Sequence, residues 1–132
     1  MTTVKFIIDH EPVPQGRPRF ADGRVYDPPR SRAYKEYIAL TARRHFPKPL
    51  RGALSVRIIF YMAMPRSWSR VKREQCRGDL HNKRPDIDNL TKAVLDGLNG
   101  VAFVDDGQVA IINAKKVYSD KPSVYVGVTY DD

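Results

Sequence analysis

The 132-residue chain is predicted to fold as one α+β domain, a mixed sheet of about four strands with two helices on one face. Three observations carry that expectation. Apolar residues alternate at 4–8, 54–64 and 124–130, they recur with helical spacing at 31–46 and 86–99, and no repeat, low-complexity tract or linker interrupts the chain. The length suits one domain spanning residues 1–132. A chain of this size buries roughly two-thirds of its unfolded surface, and a 42% hydrophobic composition supplies an ordinary core.

The first strand places Val4, Phe6 and Ile8 on one face and ends at His10-Glu11-Pro12. Residues 12–30 are rich in Pro and Gly and carry Arg17, Arg19, Arg24 and Arg30, a loop composition within which Asp22-Gly23 is expected to turn a short hairpin. Ser31 is the expected cap of the first helix, in which Tyr34, Tyr37, Ile38, Ala42 and His45 share a face before Pro47 and Pro49 stop the run. In the strand at 54–64, Val56, Ile58, Phe60 and Met62 face one way and Arg57, Ile59 and Tyr61 the other, which suits a well-buried strand. Residues 65–85 form an exposed basic segment with room for a short helix around 70–77. The second helix is expected at about 86–99, closed by Gly100. A hairpin should follow, pairing 101–104 with 108–118 across Asp105-Asp106-Gly107, and then a last strand with Val124, Val126, Val128 and Tyr130 on one face.

Charge is the informative part of the composition. Lys and Arg number 23 against 15 Asp and Glu, a net +8, but the excess is divided unevenly. Residues 1–85 hold 19 basic and 7 acidic groups, net +12, whereas residues 86–132 hold 4 Lys, no Arg and 8 Asp, net −4. A basic body joined to an aspartate-rich segment points to a polyanion bound beside a cation site, against the plainer alternative of a solvated surface. No window approaches the ~20 apolar residues of a membrane span, and the start of the chain reads as a strand instead of a signal peptide. A cytoplasmic protein without membrane contact is expected. One cysteine, Cys76, and three scattered histidines offer neither an internal disulfide nor a zinc spacing.

On a helix starting near Asp86, residues Ile87, Leu90, Val94 and Leu98 fall on one face while Asp88, Lys92 and Asp96 line another. Asp86 stands just ahead of the first turn, and Asp105 and Asp106 follow about twenty residues later. Several carboxylates without His or Cys are the donor set expected for Mg²⁺, with Mn²⁺ the other candidate, and Lys92 is placed to reach a phosphate. Each element also has an ordinary structural reading. Asp86 suits a helix N-cap, Asp88 the helix dipole, Asp88 and Lys92 an i,i+4 pair, and Asp106-Gly107 a turn. Among the basic residues, Arg17 and Arg19, with Phe20 or Tyr26 for stacking on an unpaired base, and Lys83 and Arg84 are the candidate phosphate contacts, a solvated loop being the other reading of the first pair. Trp68 is expected to be a packing anchor, and Cys76 and His81 carry no assigned role.

The run Lys83-Arg84-Pro85-Asp86-Ile87-Asp88-Asn89-Leu90-Thr91-Lys92-Ala93-Val94-Leu95-Asp96, followed by Asn99-Gly100 and Val104-Asp105-Asp106-Gly107-Gln108-Val109, resembles the signature of the RusA-type Holliday junction resolvases. Gly16-Arg17-Pro18-Arg19-Phe20 resembles a subset of the same family. The resemblance implies a phage or prophage-type Mg²⁺-dependent endonuclease that acts on four-way DNA junctions as a symmetric homodimer. It further implies metal-binding acids at Asp86, Asp88 and Asp106, an essential lysine at Lys92 and a supporting role for Asp105. Other branched DNA, or DNA binding without catalysis, are the alternative readings. Some members carry an arginine directly before the first aspartate where this chain has Pro85, and the insert at 65–82 is less familiar.

Overall fold

The computed structural model describes residues 1–16 and 19–132, without the side chains of Arg19, Ala21 and Tyr26. Six strands, β1 (Thr2–Ile8), β2 (Arg19–Ala21), β3 (Arg24–Tyr26), β4 (Leu54–Ala63), β5 (Val109–Ser119) and β6 (Ser123–Tyr130), accompany three helices, α1 (Pro29–Arg43), α2 (Arg70–Cys76) and α3 (Ile87–Leu98). Four strands make one sheet in the order β1-β6-β4-β5, and β2 and β3 form a separate small hairpin. The β1–β6 and β4–β6 pairs are antiparallel and the β4–β5 pair is parallel. A parallel pair needs a long crossover, and residues 64–108, which include α2 and α3, provide it.

Alternation along the strands sorts the core from the outside. Phe6 and Ile8, Val56, Ile58, Phe60 and Met62, and Val124, Val126 and Val128 are buried on the face covered by α1 and α3. The other face stays partly open, with Ile7 half exposed, Arg57 exposed and Ile59 and Tyr61 intermediate, so β4 is buried on one side instead of both. Helix α3 contributes Leu90, Ala93, Val94, Gly97 and Leu98 to the core, whereas Ile87, expected among them, is 37% exposed at the first turn.

The expected α+β class, the four-stranded mixed sheet and both long helices are present, and α2 is the short third helix. Two local expectations are corrected. Ser31 does not cap α1. Pro28 holds the cap position, and Ser31 lies buried inside the first turn, its hydroxyl accepting a hydrogen bond from the Gly16 N–H. Residues 101–104 do not pair with β5. Ala102 and Phe103 are fully buried beneath the end of α3, where the Val101 and Ala102 N–H groups return to the Leu98 carbonyl. Burying Phe103 in the core wins over extending a ribbon, and β5 instead pairs with β4.

The basic segment before α3 is seated on the end of β5. Leu80 bridges Val117, Gly78 donates to the Tyr118 carbonyl, Tyr118 donates to Asp79, and His81 donates to Lys116. Trp68 packs against Tyr118, as an anchor should, with the Lys72 ammonium 4.8 Å above its ring. Arg77 pairs with Asp120 across the same junction.

At Gly97 an added Cβ would lie 2.9 Å from both Cβ and Cγ2 of Ile38. Gly97→Ala should therefore lower stability by about 1–2 kcal/mol in a denaturant titration, because overpacking outweighs the roughly 1 kcal/mol of helix propensity gained. His81 has a buried Nδ1 without a hydrogen-bond partner among the described residues, and burial, with Lys116 nearby, holds its pKa below the usual 6.5. The unfolded chain therefore takes up that proton first, so the stability His81 contributes is intact above pH 6.5 and declines as pH falls from there to the lower folded value. Thermal melts across this window should show a steeper acid-side decline for the native chain than for His81→Gln.

Candidate active site

β5 is the edge strand next to α3, and its inward residues Ile112 and Ala114, in register with Val56 and Ile58, are incompletely covered. Between them and α3 opens a cleft of about 410 Å³. Asp88, Lys92 and Asp96 line it from the helix, Asp106 enters from the turn before β5, and Ile87 and Leu95 are among the apolar walls. The helical face read from the sequence thus meets the second acidic motif in space.

The acids differ in how far each is engaged in structure. Asp86 occupies the N-cap position of α3, but its carboxylate makes no capping hydrogen bond. Asp88 accepts the Asn89 N–H through Oδ1 and forms no ion pair with Lys92 among the described residues. Lys92, 62% exposed, lies instead 3.6 Å from Asp96 Oδ2. Asp105 is spent on structure. Its carboxylate accepts the Gly107 N–H at the start of a 3-10 turn, Asp106–Gln108, and leaves Asp106 exposed with no side-chain partner among the described residues.

Side chains outside the acidic motifs hold the backbone that bears them. Gln108 Oε1 accepts from the Val104 and Asp105 N–H groups at 2.8 and 3.0 Å, while its Nε2 donates to the Leu50 and Gly52 carbonyls. The turn carrying Asp106 is thereby tied to the segment entering β4. The spacing Asp105-x-x-Gln108 is a capping-box pattern, a signal that was legible in the sequence. Lys116, projecting from β5, donates to the Lys83 and Pro85 carbonyls at 2.6 and 2.7 Å and so secures the chain directly ahead of Asp86. Nothing in the local sequence around Lys116 announces this, because its partners lie about thirty residues away.

Lys83 and Arg84 themselves are exposed beside the start of α3, free of ion pairs among the described residues. Arg17 and the side chain of Arg19 lie outside the described residues, and Phe20 in β2 is 79% exposed. Among the described residues, no three His, Cys, Asp or Glu side chains stand together as a ready-made metal cage. An open set of carboxylates fits an ion that draws part of its shell from water and from a substrate phosphate, as Mg²⁺ and Mn²⁺ do.

The model of the family Endodeoxyribonuclease RusA matches residues 9–129, and the chain belongs to that family. Membership implies an endodeoxyribonuclease of the kind that resolves Holliday junctions, enzymes that generally depend on a divalent metal. The chain is also 37% identical over 135 residues, 96% of its length and 95% of the other's, to the uncharacterized protein YqaN of Bacillus subtilis (strain 168). No helix among the described residues is long and apolar enough to cross a membrane.

Removing the Gln108 amide would leave two backbone N–H groups and two carbonyls without their side-chain partner. Gln108→Ala should cost about 1–3 kcal/mol of stability by denaturant titration. At temperatures where the variant is folded, it should also slow DNA cleavage by displacing Asp106.

Proposed function

We propose that the protein is a Mg²⁺-dependent endonuclease that resolves four-way DNA junctions by paired, symmetric nicks in recombination and repair. The observation that carries this reading is the meeting of Asp88, Lys92 and Asp106 in one cleft, with Asp86 just before α3, in a member of the RusA family. Asp86, Asp88 and Asp106 would hold the metal, with Asp105 shaping the turn that presents Asp106. When bound, the ion supplies an activated water and neutralises phosphate charge. Mn²⁺ would serve in the same site.

The protein's own groups do the rest. Lys83 and Arg84 grip the phosphates that lead into the cleft, and Arg17 and Arg19 are the further candidates for contact with a flanking duplex. Lys92 donates to the scissile phosphate and steadies the negative charge that builds there as water attacks in line with the departing oxygen. The P–O3′ bond breaks as the water oxygen bonds to phosphorus, the departing 3′ oxygen takes up the proton that the water gives up, and the phosphate stays on the 5′ oxygen. The products are a 3′-hydroxyl and a 5′-phosphate. Two such nicks on opposing strands of a two-fold substrate call for two equivalent sites, so a C₂ homodimer is the assembly that fits. A nuclease of this kind works on the DNA in the cytoplasm of a bacterial or phage-infected cell.

A mobile synthetic junction, a flap and a linear duplex, each offered at matched salt with and without Mg²⁺, test the reading. The native protein should cut the junction in symmetric pairs with Mg²⁺ and spare the linear duplex. Asp86→Asn and Asp88→Asn should reduce the rate by about 10²–10³-fold while still binding DNA. A correctly folded Asp88→Asn protein that nicks junctions at the native rate would refute the site assignment.

A further inference from the structure

Lys35 belongs to neither acidic motif, yet it stands behind both sides of the proposed site. It projects from α1 with its side chain 16% exposed, and its ammonium lies 2.8 Å from Asp27 Oδ2 and 3.4 Å from Asp96 Oδ2. An ammonium so covered requires partners, and a single carboxylate would neutralise it. Here two converge.

Each carboxylate leads somewhere functional. Asp96 Oδ2 is the same oxygen that lies 3.6 Å from Lys92 Nζ across one turn of α3. Alone that contact would hold Lys92 weakly, since the lysine is 62% exposed and precedes its acid, the less favourable order for a helical pair. Lys35 restrains Asp96 from behind and so gives Lys92 a fixed partner. Asp27 sits directly after β3, at the root of the β2–β3 hairpin, and its other oxygen accepts from Gln15 Nε2 at 3.3 Å on the chain leading into that hairpin. The residues on either side of the hairpin that bears Arg24 therefore meet at Asp27, the carboxylate that Lys35 holds. The order Asp27, Lys35, Asp96, Lys92 alternates in charge, so each member has an opposite neighbour and the chain is neutral as a whole.

We propose that Lys35 is a positioning residue for DNA cleavage, one half-buried ammonium that sets Lys92 through Asp96 and sets the root of the arginine-bearing arm through Asp27. The distance between the arm and the cleft is then fixed by α1, the rigid element between them. This inference rests on the assignment of Lys92 to the reaction. Ordinary helix-to-helix glue would also lower stability on mutation, but it would leave kcat and KM alone in protein that is still folded.

Steady-state cleavage of a synthetic four-way junction with Mg²⁺, by the full chain well below the lowest melting temperature of the set, separates these cases. Asp96→Asn, which keeps its shape and leaves Lys35 paired with Asp27, should lower kcat about tenfold with KM within about twofold, since small misplacements of a reacting group have large rate effects. Asp27→Asn should raise KM several-fold. Lys35→Met should show both changes and Lys35→Arg should recover most of each. The Lys35→Met/Asp96→Asn double variant should have no lower kcat than the slower single variant, as expected for residues acting as one unit. If Lys35→Met does not fold, Asp96→Asn and Asp27→Asn carry the test. Native kcat in folded Asp96→Asn, or native KM in folded Asp27→Asn, overturns the proposal. Lys92→Met separates this failure from that of the underlying reading: full activity there refutes the role of Lys92, whereas a slow Lys92→Met beside native-like Asp96→Asn and Lys35→Met refutes only the role of Lys35.

Discussion

The close seating of α3 against α1 is the contact on which the site depends. Gly97 lets the Ile38 side chain approach the helix backbone to a distance that any Cβ would obstruct. With that face pressed onto α1 and with Leu90, Val94 and Leu98 in the core, the rotation of α3 about its axis is settled. The face bearing Asp88, Lys92 and Asp96 then has one direction left, over the uncovered inner edge of β5. A helix turned by one residue would move each of these groups by about 100° and empty the cleft of its charges.

Around this seat, polar side chains act mainly on backbone. Gln108 holds the turn of Asp106, Lys116 holds the approach to Asp86, and Ser31 holds Gly16 at the foot of the arm. Most side-chain hydrogen bonds in proteins go to backbone groups, and here they leave the Asp86 and Asp106 carboxylates without a partner among the described residues. Asp105 and Asp106 show the division most clearly. The first is consumed in its own turn and the second is left exposed at the cleft. Adjacent aspartates of the same chemistry thus acquire different roles from the geometry of three residues.

The split in charge has a spatial counterpart. The basic segment at 65–85 is folded back along the end of β5 by the Leu80–Val117 bridge and the Trp68–Tyr118 contact, which brings Lys83 and Arg84 beside the acidic end of α3. A carboxylate cluster would by itself repel DNA. Flanking cations offset that repulsion and place phosphate where a divalent ion can share it.

Much of this was legible in the order of residues. Periodicity located α1, α3, β1, β4 and β6, because a 3.6-residue or two-residue repeat is a local property. Asp22-Gly23 located its hairpin, and Trp68 its packing role. Local pattern failed at 101–104, where the apolar run looked like a strand but Phe103 was drawn into the core, and at Ser31, whose partner is Gly16 and not its own helix. The motif acids, the helical face of Lys92 and the asymmetry of charge are matters of sequence alone. Only the tertiary structure decided that α3 lies over β5, that Gln108 and Lys116 brace the two acidic segments, and that Lys35 joins Asp27 to Asp96. These are contacts between residues some thirty to sixty positions apart in most cases. They follow from the strand order β1-β6-β4-β5 and the parallel pairing of β4 with β5, which no repeat within a single segment encodes.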